Sequence, residues 1–270
     1  ETGCSQRRGG ESPEFARSRW GLLHFQNCSN LTLIGPGGLQ APGRSFWDVR
    51  SLRPNVRGYC LLKVEGCDGV VVTGLRLKDS PMYHMVIMQS RRVDIVGLSV
   101  TVDSVAVGDV GPYNTDGVSI IASSNVSVRS SSIESGDDNI VIKEASRGIL
   151  GTDLVLTRGK GISIGSLGER AADYQVVADV VFRNVTVSKS VFGARLKTWM
   201  GSQGLVRNVT FSHFRVDAVS MGFIVDQRYC PRSQRPEGCT SPGEEEQAIQ
   251  IDDVLFDNFQ GTYSGREFSI

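Results

Sequence analysis

Three aspartates and three cations recur at spacings suited to acid/base chemistry. Asp116 and Asp138 stand 22 residues apart, and Lys160 follows after another 22. Asp137 directly precedes Asp138, and Arg195 and Lys197 alternate along one later segment. If that interval is one structural repeat, stacked repeats place Asp116, Asp138 and Lys160 in a column with steps of about 4.8 Å. Asp137, one residue off that register, projects differently from Asp138. Carboxylates this close repel one another, which pushes at least one pKa upward. One carboxyl can then donate a proton while others stay ionised to activate water, the division of labour that glycoside hydrolysis needs. A single aspartate is as well suited to capping a turn or binding calcium. Three in register beside Arg195 and Lys197 favour the hydrolytic reading.

Such a column needs a repeating scaffold. Helical periodicity is nearly absent, and short β-branched runs recur between Gly, Asn, Ser and Asp. One set comprises Gly117–Ile120, Asn139–Ile142, Gly161–Ile164, Gly193–Leu196 and Gly222–Val225, with steps of 22, 22, 32 and 29 residues. A second set interleaves with it: Val70–Val72, Val93–Ile95, Val126–Val128, Ile149, Val181–Phe182, Val206 and Val254–Phe256. This is the signature of a solenoid whose coils bury their inward residues only by stacking. The expected fold is an all-β parallel β-helix with coils of 22 residues or more, a single domain over residues 1–270. A β-sandwich would need hairpin turns, and no Asn-Gly pair occurs. Residues 231–247, rich in Pro, Gly and charge, read as a long loop.

Bulk composition excludes several function classes. Lys plus Arg and Asp plus Glu are both 29, so the net charge is zero and no basic excess points to nucleic acid. No apolar run is long enough to cross a membrane. The six cysteines (Cys4, Cys28, Cys60, Cys67, Cys230 and Cys239) show no metal-binding spacing. No metal or organic cofactor is expected. Disulfides are expected between Cys230 and Cys239 and between Cys4 and Cys28, with Cys60 and Cys67 either paired or buried as thiols. Sequons at Asn27, Asn30, Asn125, Asn184 and Asn208 are candidate glycosylation sites. Five sequons with an even cysteine count point to a secreted protein. The opening Glu1-Thr2-Gly3-Cys4 reads either as a mature start or as a scar left by expression.

Four strings carry a family resemblance. NTDG at Asn114–Gly117, SGDDNI at Ser135–Ile140, GKGISIGSLG at Gly159–Gly168 and ARLKTW at Ala194–Trp199 occur in this order. Together they resemble the motifs of the pectin-degrading polygalacturonases, glycoside hydrolase family 28. The resemblance implies a right-handed parallel β-helix, extracellular in the cell wall, that cleaves galacturonate polymers with inversion. It implies Asp137 as the general acid, and Asp116 and Asp138 as the pair that activates water. Arg195 and Lys197 would bind a substrate carboxylate, with Asn114, Lys160 and Tyr229 also in the substrate site.

This chain departs from the family pattern in three ways. Lys160 stands where the family has histidine. An ammonium there favours ionised aspartates, so a general acid holds its proton poorly and activity should fall or move to lower pH. Asn139 and Leu156 occupy two places where many relatives have cysteine. Relatives also usually extend further at both ends; an uncapped solenoid end exposes apolar residues and strand edges, so the sequence is expected to be a fragment, to lack internal pieces, or to have its end covered by a protein partner. Two function classes follow: a pectin hydrolase, or an inactive relative that binds pectin or a protein partner. The histidines read as ordinary packing or surface; His84 lies in Asp79–Val86, which resembles a family segment containing Ser-Pro and an aromatic, and a cleft-wall role is open to Tyr83 or His84.

Overall fold

The computed structural model describes residues 21–52, 58–103, 112–169, 173–230, 248–263 and 266–269. The chain is a right-handed parallel β-helix. One sheet carries the site. Its strands include Cys60–Glu65, Met85–Met88, Val118–Ile121, Ile140–Ile142, Ile162–Leu167, Phe192–Thr198 and Met221–Asp226. Successive coils pair Val118 with Ile140, Ile140 with Ile162, Ile162 with Ala194 and Ala194 with Phe223. The repeat read from the sequence is therefore the spatial register.

The second column needs a correction. The ladder runs Val70, Val93, Val126, Ile149, Val180, Val209 and Val254. Val181–Phe182 keeps the register of Val71–Val72, Asp94–Ile95, Ser127–Val128 and Leu255–Phe256. Val206, taken as a member above, lies in another register: it pairs with Val177 and Ile251, and Val209 holds the ladder position. The early coils split this side into two short strands, such as Ser124–Arg129 and Ser132–Ser135. Both pair with the single long strand Ser146–Arg158.

The core is a column of inward aliphatics that becomes aromatic in later coils. Phe211 is sandwiched between Phe182 and Phe256, at ring-centroid distances of 6.0 and 5.3 Å and nearly parallel. Gly151 makes room for this stack, since a Cβ there would lie 2.2 Å from the Phe182 ring. Phe211→Ala should lower the unfolding free energy by about 3–5 kcal/mol, through lost burial plus a cavity between two rings. Urea denaturation checks this; a change under ~1 kcal/mol would mean that the stack contributes little.

Corner geometry changes the meaning of the sequons. Asn27, Asn30, Asn125, Asn184 and Asn208 all have φ between 52° and 55°. This left-handed conformation is one that Asn tolerates better than other side chains. The strand that follows each corner supplies the Ser or Thr two residues on. Asn184 also donates to Asp153 at 2.5 Å, and Asn208 to Asp179 at 2.8 Å. The left-handed backbone thus gives a reason for Asn at each of these positions.

Serine and cysteine stack at another corner. The Ser123 hydroxyl accepts the Ser90 N–H at 3.1 Å, the Ser90 hydroxyl accepts the Cys67 N–H at 3.1 Å, and the Cys67 sulfur faces the Cys28 N–H at 3.2 Å. Cys28, Cys60 and Cys67 are buried, and Cys28 lies over Cys67 in this stack. The expected Cys4–Cys28 pairing involves a residue outside the described ones. Cys230 is disulfide-bonded. Cys4, Cys239 and the 231–247 loop lie outside the described residues.

One helix, α1 (Gly43–Leu52), was not foreseen. It runs beside the turns that enter the site-bearing sheet. The Trp47 indole donates to the Ser80 carbonyl at 3.2 Å, and Arg50 reaches the Tyr113 carbonyl at 3.1 Å.

Candidate active site

The acids sit in two stacked turns just before strands Val118–Ile121 and Ile140–Ile142. Thr115 joins these turns, donating its hydroxyl to the Pro112 carbonyl at 2.6 Å and accepting the Gly136 N–H at 3.0 Å. Gly136 must be small, because a Cβ there would meet the Pro112 ring at 2.3 Å. Gly117 N–H donates to the Asp138 carbonyl at 3.0 Å, fixing Asp116 beside Asp138.

Asp138 is the most tightly held carboxylate of the three. One oxygen accepts from Arg195 Nη2 at 2.7 Å and from the Ser163 hydroxyl at 2.7 Å, and the other faces Lys197 Nζ at 2.9 Å. Arg195 Nε also donates to the Ser163 oxygen at 3.2 Å. Burial opposes ionisation of Asp138, but Lys197, Arg195 and Lys160 outweigh it and hold its pKa below the usual carboxylate range. Burial pulls the Lys197 pKa down, against the attraction of Asp138. Two buried cations thus share one buried anion.

Asp137 faces the other way, as its offset by one residue requires. Its Oδ1 pairs with Lys160 Nζ at 2.9 Å, and its Oδ2 accepts the Asn114 N–H at 3.2 Å. Lys160 therefore pairs with Asp137 and not with its column neighbour Asp138. Burial lowers the Lys160 pKa, but Asp137 and Asp138 prevail and raise it. The Asn114 side chain is itself held, its Oδ1 accepting from Arg50 at 2.6 Å. Asp137 and Asp138 face protein cations, and Asp116 lies beside them.

Asp116 has the opposite environment to Asp138. Its Oδ1 is buried with no hydrogen-bond partner, and Ser119 approaches Oδ2 only at 3.5 Å. Burial first, then the charges of Asp137 and Asp138, drive its pKa well above the carboxylate norm. A group with a raised folded pKa stabilises below its unfolded pKa of about 3.9, and that contribution is lost as pH rises through the folded value. Asp116→Asn should therefore raise the melting temperature at pH 7 by about 2–4 °C, the shift that ~1 kcal/mol gives in a chain of this size. The gain should vanish near pH 3.5. Thermal melts across pH check this, and a variant less stable than the parent at pH 7 would contradict it.

The cation side is floored by aromatics. Arg195 lies over the Phe192 ring at 4.7 Å, and Lys197 Nζ lies 5.3 Å from the Tyr229 ring centroid. Trp199 meets Tyr229 edge-on at 6.1 Å. All the expected site residues, Asn114, Asp116, Asp137, Asp138, Lys160, Arg195, Lys197 and Tyr229, converge here. Sequence reasoning missed Ser163, Phe192, Lys143 and Arg50. Ser163 was detectable: it stands between Asp138 and Arg195 on the outward alternation of strand Ile162–Leu167. Lys143, buried just past strand Ile140–Ile142, offsets the negative charge around Asp116. Asn139 fills one of the places where relatives have cysteine. Its side chain donates to the Ile133 carbonyl at 3.0 Å and accepts the Gly161 N–H at 2.9 Å, linking adjacent coils without a disulfide.

Fold and site together define a class: a parallel β-helix with a buried acid cluster clamped by cations. The chain belongs to the glycosyl hydrolases family 28, whose model matches residues 16–270. Polygalacturonase QRT2 of Arabidopsis thaliana is 30% identical over 94% of this chain and 56% of its own length. A polygalacturonase of Persea americana is 32% identical over 91% of this chain and 51% of its own length. This chain thus spans about half the length of the curated relatives it matches. In fold it is similar to an endo-xylogalacturonan hydrolase from Aspergillus tubingensis, with a TM-score of 0.80 and 24% identity, covering 91% of this chain and 66% of the other.

Proposed function

We propose that this chain is a secreted glycoside hydrolase that cleaves galacturonate-containing pectin with inversion. The observation that carries the reading is the division of charge within one acid cluster. Asp138 is clamped ionised by Arg195, Lys197 and Ser163, and Asp116 is driven toward its neutral form. A carboxylate that stays ionised thus lies beside one with raised proton affinity, a pair suited to orienting a water and taking its proton.

In this reading Asp138 and Asp116 orient and deprotonate water, and Asp137 protonates the leaving oxygen. Substrate carboxylate is drawn to the Arg195–Lys197 pair; the planar guanidinium fork suits bidentate recognition. Tyr229 and Phe192 hold these cations in place. The Lys160–Asp137 ion pair is the obstacle: Asp137 must give it up before it carries a proton. Resting activity should therefore be low and displaced toward acid pH.

That same ion pair favours a second reading, a family member that keeps the groove and binds pectin without turnover. Reducing-end release from polygalacturonate between pH 3.5 and 7, beside pull-down on the insoluble polymer, separates the two. Turnover supports the enzyme, and retention without turnover selects the binder. Neither turnover nor retention would defeat both. Secretion and glycosylation belong to the proposal as well. A mass shift on deglycosylation after expression through a secretory pathway supports them, and an unmodified chain counts against glycosylation at the five corner asparagines.

A further inference from the structure

We infer that His84 is a positioning residue for Asp116, holding its backbone so that its otherwise unanchored carboxyl stays in the acid cluster. This inference rests on the hydrolase reading for its kinetic consequence, but not for its structural one.

The Asp116 side chain cannot place itself. Oδ1 has no hydrogen-bond partner, and Oδ2 has only Ser119 at 3.5 Å. Asp138, by contrast, is held by three side chains. The position of the Asp116 carboxyl must therefore come from its main chain, and on the preceding coil that main chain meets His84. The His84 N–H donates to the Asp116 carbonyl at 2.8 Å, and the ring Nδ1 lies 3.1 Å from the same oxygen. One residue thus supplies two donors to one carbonyl.

The tautomer follows from the partners. A carbonyl only accepts, so Nδ1 carries the proton. On the other side Nε2 accepts the Ser80 N–H at 3.4 Å. The ring is fully buried, and burial pulls its pKa down to about 4, so this neutral form persists above that pH. Ser80 is in turn anchored: its hydroxyl donates to the Tyr83 carbonyl at 2.7 Å, and its carbonyl accepts the Trp47 indole. The connection therefore runs from α1 through Ser80 and His84 to Asp116. His84 touches neither substrate nor reacting atoms in this arrangement and acts through Asp116 alone.

Two amides dissect the ring. In His84→Asn the amide nitrogen reaches the Nδ1 position and keeps the donor to Asp116. In His84→Gln the amide reaches the Nε2 position and keeps the Ser80 contact but not the Asp116 donor. The expected result is kcat reduced about 10- to 100-fold in His84→Gln and His84→Leu, with KM within twofold of the parent, and kcat largely restored in His84→Asn. A ring that merely fills space would leave both amides equally impaired through stability, and that result overturns the inference. Carbon-13 titration of the Asp116 carboxyl gives a readout independent of turnover. In folded His84→Gln the carboxyl should titrate at lower pH than in the parent, because a loosened backbone admits water; an unchanged titration overturns the inference. Should the parent hydrolyse no pectic polymer, the hydrolase reading fails while this titration still decides the role of His84.

Discussion

Asp138→Asn should reduce turnover on polygalacturonate by about 10³-fold and also weaken the fold. The kinetic part follows from removing the carboxylate kept ionised to activate water, a role whose usual contribution is about 10²–10⁴-fold. The structural part is less obvious. Arg195 and Lys197 are both buried, and Asp138 is the carboxylate each of them contacts at 2.7 and 2.9 Å. Replacing one partner of a buried ion pair leaves uncompensated charge, at a cost of about 3–5 kcal/mol. A triple variant in which Arg195 and Lys197 are also made neutral should recover part of that stability while remaining inactive. Equal stability of parent and Asp138→Asn in urea would show that these cations find other partners, and the clamp described here would be wrong.

Lys160→His should raise turnover, by about 10- to 100-fold at pH 6.5–7. The parent lysine has a raised pKa and stays charged throughout the working range, so its pairing with Asp137 is permanent. Histidine at that place is neutral above its ordinary pKa of about 6.5. Asp137 is then released to take a proton. Below about pH 5.5 the imidazole is itself charged and the gain should narrow. The sign is therefore specific: the variant profile should extend toward neutrality, and the parent should be confined to the acid side. Initial rates of reducing-end release from pH 3.5 to 8 check this. A variant no faster than the parent at any pH would show that the Asp137–Lys160 ion pair does not limit the chemistry.

The site was readable in the sequence because the solenoid turns sequence interval into spatial register. Asp116, Asp138 and Lys160 are 22 residues apart because Val118, Ile140 and Ile162 pair coil on coil. The offset of Asp137 was readable for the same reason, although its pairing with Lys160 depends on side-chain reach. Where coils lengthen, interval ceases to determine register, and Val206 was taken for the ladder position that Val209 holds. Three other features were hidden for different reasons. Helix α1 lies in a loop whose residues carry no solenoid pattern. The left-handed conformation shared by the five sequon asparagines does not show in the string N-x-S/T itself. The role of His84 depends on which main-chain carbonyl its ring meets, and composition does not encode that.

Real-time proton NMR of trigalacturonate digestion tests the central claim most directly, because it reports cleavage and stereochemistry together. Parent enzyme at pH 4–5 should release a new hemiacetal whose anomeric configuration is opposite to that of the bond broken, before mutarotation, and Asp138→Asn should release none on the same timescale. An intact trisaccharide after prolonged incubation with the parent, or a first-formed product of retained configuration, would contradict the account.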